Sequence, residues 1–104
     1  MKHTSLAILL SFVAMLAAAE SAGPAKLTIA IIGDSTVCEY PEDSPSRGWG
    51  HFIGEHFKDG VRVLNLAASG RSTKTFIAEG RWKRTLDEKP DVVLIQFGHN
   101  DSHA

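Results

Sequence analysis

Three short polar clusters punctuate the chain: "GDSTV" at residues 33–37, "AASGRS" at 67–72 and "GHND" at 98–101. Together they hold a serine, a glycine and an amide side chain, the groups that acyl transfer needs. A serine hydroxyl can attack an ester carbonyl, but the tetrahedral oxyanion it creates has to be met by donors already in place, usually backbone N–H groups and a side-chain amide. Ser35 is the candidate nucleophile, and the N–H groups of Ser35 and Gly70 with the Asn100 amide are candidate oxyanion donors. Losing one such donor typically costs ~3–4 kcal/mol of transition-state stabilisation. Gly70 would be a glycine because backbone there must come close to substrate. Asp34 is expected to support the loop by hydrogen bonding, the alternative being the acid of a triad. The competing readings are local ones, with Ser35 as a turn or helix-capping residue and Asn100 as a turn former.

Such loops act only if something rigid brings them together. Residues 26–32 ("KLTIAII"), 61–66 ("VRVLNL") and 91–97 ("DVVLIQF") are short, β-branched apolar runs, each followed within a few residues by one of the three clusters. Near-continuous apolar character predicts strands covered on both faces. Between the first two, residues 48–58 carry Trp49, Phe52, Ile53, His56 and Phe57 at helical spacing and stop at Gly60. Between the second and third, residues 73–89 form a mixed stretch with Phe76, Ile77, Trp82 and Leu86, ending at Pro90. Alternating strand and helix predicts an α/β fold with a parallel sheet and right-handed crossovers. The carboxyl ends of parallel strands share one edge, where such sheets bind ligands, so Ser35, Gly70 and Asn100 are expected on one rim.

The N-terminus is of another kind. Lys2 and His3 precede an apolar run over residues 6–19, and Ala17 and Ala19 offer a small-residue cleavage site before Glu20. The run is shorter than the roughly 20 residues that span a bilayer, so residues 1–19 are expected to be a secretory signal peptide and the protein secreted or periplasmic. Residues 20–26 read as a leader and 27–104 as the domain. Over 104 residues the 11 basic side chains are offset by 12 acidic ones, for a net charge of −1. No basic stripe points to nucleic acid. The single Cys38 cannot make an internal disulfide, although small secreted domains usually rely on them.

The ordered blocks "GDSTV", "RGWG", "NLAASGRSTKTF", "EGRW" and "LIQFGHND" resemble those of the SGNH (GDSL) hydrolase superfamily, closest to its rhamnogalacturonan acetylesterase-like branch. The resemblance runs from about residue 29 to 101. It implies a flavodoxin-like three-layer α/β/α fold of which the first three strands, in order 2-1-3, are present. It also implies Ser35 as nucleophile, with Ser35, Gly70 and Asn100 as the oxyanion hole. The implied reaction is deacetylation of an acetylated polysaccharide or oligosaccharide of pectin type, without cofactor or metal, and without a membrane partner once the signal is removed. The family completes its triad with an Asp-x-x-His block, and none follows Asn100, since "HNDSHA" has Asp101 and His103 one residue too close. The expectation is therefore an N-terminal part of such a domain, a poor esterase by itself. A catalytically incomplete fragment or carbohydrate-binding remnant is the alternative.

Other patterns carry less. "SGRSTKT" lacks the glycines of a phosphate-binding loop, with Ala68 and Thr73 in their places, and Val37 occupies the last glycine of a G-x-S-x-G elbow. His99 and His103 could form a metal pair on a helix but have no evident third ligand. His51 and His56 are expected on a helix, packed or solvated. Arg47, Arg71, Arg81 and Trp82 could line a sugar groove or serve packing and solvation.

Overall fold

The computed structural model describes residues 25–103, so the expected signal peptide and most of the leader lie outside it. Three strands, β1 (Leu27–Gly33), β2 (Val61–Asn65) and β3 (Val92–Gln96), form one parallel sheet in the order β2-β1-β3. Ile29 sits between Val63 on one side and Val92 on the other. This is the expected α/β arrangement and strand order.

Burial along β1 explains why it is central. Successive side chains of a strand point to opposite faces, and residues 29–33 are all buried, so both faces of β1 are covered. On one face Ile29 and Ile31 meet Val37, Trp49, Ile53, Val61, Val63 and Leu94. On the other, Ile32 faces Phe76, Trp82 and Phe97, with the Phe76 and Phe97 rings edge to face at 5.2 Å. That second face is incompletely covered: an open apolar groove of about 190 Å³ runs along it, and Ile77 and Ile95 on its walls are 63% and 60% exposed.

The long helix expected over residues 48–58 is corrected to one turn. Helix α1 covers only Gly50–Ile53, passes into a 3₁₀ turn at Gly54–His56, and Phe57 is already extended. Three glycines in seven residues disfavour a helix. Two of them serve close contact instead: a Cβ on Gly48 would lie 2.3 Å from the Val37 carbonyl carbon, and one on Gly50 would lie 2.5 Å from Asn65 Nδ2.

The stretch over residues 73–89 divides into α2 (Thr73–Ala78) and α3 (Arg81–Asp87). Ser72 caps α2 through a reciprocal pair, its Oγ accepting from Thr75 N–H while Thr75 Oγ1 accepts from Ser72 N–H. Gly80, at φ +77°, ends that helix and starts the next. Entry into β3 is fixed at Asp91, whose N–H donates to the Thr28 carbonyl while its carboxylate accepts from Thr28 N–H.

Candidate active site

Ser35 sits on a tight turn directly after β1. The Asp34 carbonyl accepts from both Val37 N–H and Cys38 N–H at 3.0 Å, and the buried Asp34 carboxylate accepts from Thr36 N–H at 2.9 Å and Thr36 Oγ1 at 2.7 Å. A carboxylate gripping the residue two positions on is the means by which aspartate stabilises a turn. Asp34 therefore holds Thr36, Val37 and Cys38, the three residues that follow Ser35. The Ser35 carbonyl is held by the Tyr40 hydroxyl at 2.7 Å. That phenol titrates above the ordinary tyrosine value, first because burial disfavours the phenolate and next because of Cys38. No described residue hydrogen-bonds the Ser35 hydroxyl.

The second loop is delivered by an extension of the ladder beyond β2. Leu66 N–H donates to the Ile31 carbonyl and Ala68 N–H to the Gly33 carbonyl, which brings Gly70 to the level of the serine turn. Asn65, at the end of β2, joins the first two loops by donating to the Val37 carbonyl at 2.9 Å and accepting from Ala67 N–H. Gly70 has φ +76°, and a Cβ there would meet nothing within 4 Å. Crowding by protein atoms does not require this glycine; the left-handed backbone does.

The third loop is tied to the second. Asn100 Nδ2 donates to the Arg71 carbonyl at 3.0 Å, beside Gly70. The Asp101 carboxylate accepts from the N–H and the hydroxyl of Thr73, the first residue of α2. The Thr73 hydroxyl, ahead of the opposing cost of burial, holds the Asp101 carboxyl below the usual aspartate range. The three loops thus share one rim, and direct hydrogen bonds link each to the next.

The arginines are engaged in holding loops. Arg71 forms a bidentate pair with Glu79, with Nε 3.0 Å from both carboxylate oxygens, and its Nη1 donates to the Ser69 carbonyl. Arg71 holds the Glu79 carboxyl below its usual range, and Arg81 adds a longer contact at 3.4 Å. Arg47 donates to the carbonyls of Pro41, Glu42, Ser44 and Ser46, fastening the loop over those residues. Trp82 lines the apolar groove. His51 pairs with Glu39 at 2.5 Å on the surface, and the His99 and His103 rings meet edge to face. Among the described residues no group of three or more His, Cys, Asp or Glu side chains could hold a metal ion.

Sequence reasoning passed over Asn65, Thr36 and Gln96. Their signal was faint but physical: Asn65 and Gln96 are the polar residues that end β2 and β3, at the edge where these sheets place function.

Residues 31–104 match the model of the GDSL-like Lipase/Acylhydrolase family. The probable rhamnogalacturonan acetylesterase YesY of Bacillus subtilis is 45% identical over 76 residues, 71% of this chain and 35% of that protein. The rhamnogalacturonan acetylesterase RhgT of the same organism is 42% identical over 78 residues, 72% of this chain and 34% of its own length. A rhamnogalacturonan acetylesterase of Emericella nidulans is 38% identical over 76 residues, 71% of this chain and 28% of its own. The chain spans about a third of the length of these relatives. The family match begins inside β1 and takes in all three rim loops, and on that extent the chain belongs to the GDSL-like lipase/acylhydrolase family.

Proposed function

We propose that this chain supplies the nucleophile and oxyanion-binding half of a secreted carbohydrate acetylesterase acting on pectin-type polysaccharide. The observation that carries the reading is the tied rim: a serine on a braced turn, with Gly70 and Asn100 linked to each other through Arg71. Likeness to three rhamnogalacturonan acetylesterases supports the substrate class. The lysine and apolar run at the N-terminus support secretion.

In the reaction, Ser35 Oγ forms a bond to the acetyl carbon as its proton passes to a general base. The oxyanion collects against Ser35 N–H, Gly70 N–H and the Asn100 amide. Its collapse breaks the bond to the sugar oxygen, which takes the proton and leaves. Water, deprotonated in turn, attacks the acetyl-serine and releases acetate. In the family resemblance the base is the histidine of an Asp-x-x-His block.

The test is covalent labelling of the protein carrying this chain with a serine-directed phosphonate, with acetate release from acetylated pectin measured in parallel. Ser35 is the expected site, and Ser35→Ala abolishes both signals. A phosphonate adduct mapped to another residue overturns the assignment.

A further inference from the structure

Four side chains form a one-way hydrogen-bond relay that ends at the Ser35 turn. Trp49 Nε1 donates to Gln96 Oε1 at 2.7 Å, Gln96 Nε2 donates to Thr36 Oγ1 at 3.1 Å, and Thr36 Oγ1 donates to Asp34 Oδ1 at 2.7 Å. The chemistry of its two ends forces the direction. An indole N–H can only donate, and an ionised carboxylate can only accept. The Gln96 oxygen must therefore face Trp49 and its NH₂ must face Thr36. The Thr36 hydroxyl, having accepted from Gln96, has its hydrogen left for Asp34.

The relay joins three segments distant in sequence. Trp49 precedes α1, Gln96 is the last residue of β3, and Thr36 and Asp34 flank Ser35. Two backbone bonds run parallel to it, Trp49 N–H to the Thr36 carbonyl at 2.9 Å and Gly50 N–H to the Val37 carbonyl at 3.1 Å. Without Gln96, the Thr36 hydroxyl keeps Asp34 but loses its connection to the third strand, and the turn is fastened on one side only.

We propose that Gln96 is a positioning residue for Ser35, locking the serine turn to β3 through Thr36 with Trp49 as its anchor. The functional part of this assignment rests on Ser35 being the nucleophile; the geometric part does not. Gln96 makes no hydrogen bond to the Ser35 hydroxyl; it acts through Thr36.

A glutamate at this position makes the lock conditional. A neutral carboxyl can accept from Trp49 and still donate to Thr36, whereas an ionised one cannot donate and faces the Asp34 carboxylate across the threonine hydroxyl. The experiment is a pH series of amide spectra on ¹⁵N-labelled chain, comparing wild type, Gln96→Glu and Gln96→Leu. In Gln96→Glu, the Ser35 and Thr36 amide signals are expected to overlay wild type at acidic pH and to depart from it as the introduced carboxyl ionises. In Gln96→Leu they are displaced throughout. If Gln96→Leu fails to fold, the reversible behaviour of Gln96→Glu decides alone. Ser35 and Thr36 signals that follow wild type across the whole pH range in Gln96→Glu overturn the proposal.

A second readout is the rate of phosphonate labelling at Ser35. A nucleophile displaced by about 1 Å can lose on the order of 10²-fold, so labelling of Gln96→Glu should fall by up to that factor as pH rises. If wild type itself is not labelled at Ser35, the nucleophile reading fails while the spectra still decide the relay.

Discussion

The Asn100 side-chain amide donates to the Arg71 carbonyl at 3.0 Å, bridging the third loop to the second beside Gly70. An amide NH₂ has two hydrogens. The Arg71 carbonyl takes one and fixes the plane of the group, which is the preorganisation that the proposed oxyanion role calls for.

Asn100→Ala should therefore lower kcat by roughly 10²–10³ with little change in KM, because the oxyanion exists only beyond the ground state. Steady-state acetate release from the protein carrying this chain measures it. Equal kcat in the variant contradicts the oxyanion role.

Two glycines on the rim should respond differently to alanine. Gly70→Ala meets no atom within 4 Å, so its cost is that of a left-handed backbone, about 1–2 kcal/mol. Gly33→Ala puts a Cβ 2.5 Å from the Gln96 carbonyl oxygen and 2.6 Å from Val37 Cγ2, inside the paired sheet where backbone cannot yield. Overpacking of this kind costs about 1–3 kcal/mol or more. Urea midpoints at unchanged slope should rank Gly33→Ala as the less stable of the two.

Acid should loosen the rim. The Asp101 carboxyl is depressed in the folded chain by the Thr73 hydroxyl, so it contributes stability that is complete above the ordinary aspartate range and is lost as pH falls through the lower folded value. Glu79, depressed by Arg71, behaves in the same sense. Urea melts at falling pH should show the loss, and Asp101→Asn should remove its share. A pH dependence unchanged in Asp101→Asn contradicts the link.

The groove wall should govern self-association. Ile77 of α2 and Ile95 of β3 expose apolar surface, and β3 has one unpaired edge among the described residues. Exposed apolar edges template pairing with other chains, and lysine is a common natural remedy. Ile77→Lys with Ile95→Lys should lower light scattering at a given concentration while leaving the far-ultraviolet circular dichroism intact.

Strand positions were legible as short apolar, β-branched runs, although only β1 proved covered on both faces: Val92 and Ile95 of β3 are 41% and 60% exposed, because β3 lies at the sheet edge. Residues 26–32, 61–66 and 91–97 differ from β1, β2 and β3 by a residue or so at each end. The helices were less so. Phe52 and Phe57 keep helical spacing yet are 46% and 38% exposed, and the glycines that shorten α1 do so through contacts with Val37 and Asn65 that no local pattern reveals. The rim residues were legible as types, because Ser35, Gly70 and Asn100 follow strands. Their supports were not. Trp49 and Gln96 are 47 positions apart, and Asn65 and Val37 are 28 apart, and such pairs are set by register across the sheet rather than by neighbours in sequence.

The position of β1 in the middle of the sheet also sets a timetable for synthesis. Its first residues leave the ribosome well before either partner strand, and Thr28 bonds to Asp91, 63 positions later. At roughly 5–20 residues per second, that interval is about 3–13 s. Throughout it "LTIAII" has no strand to pair with on the β3 side, and the serine turn has no Gln96 to fasten it. The nascent chain therefore presents a two-sided apolar strand for seconds, a natural client for a chaperone that binds extended hydrophobic segments. Slowing translation between the codons for Asn65 and Val92 should lengthen that exposure and lower the yield of folded protein.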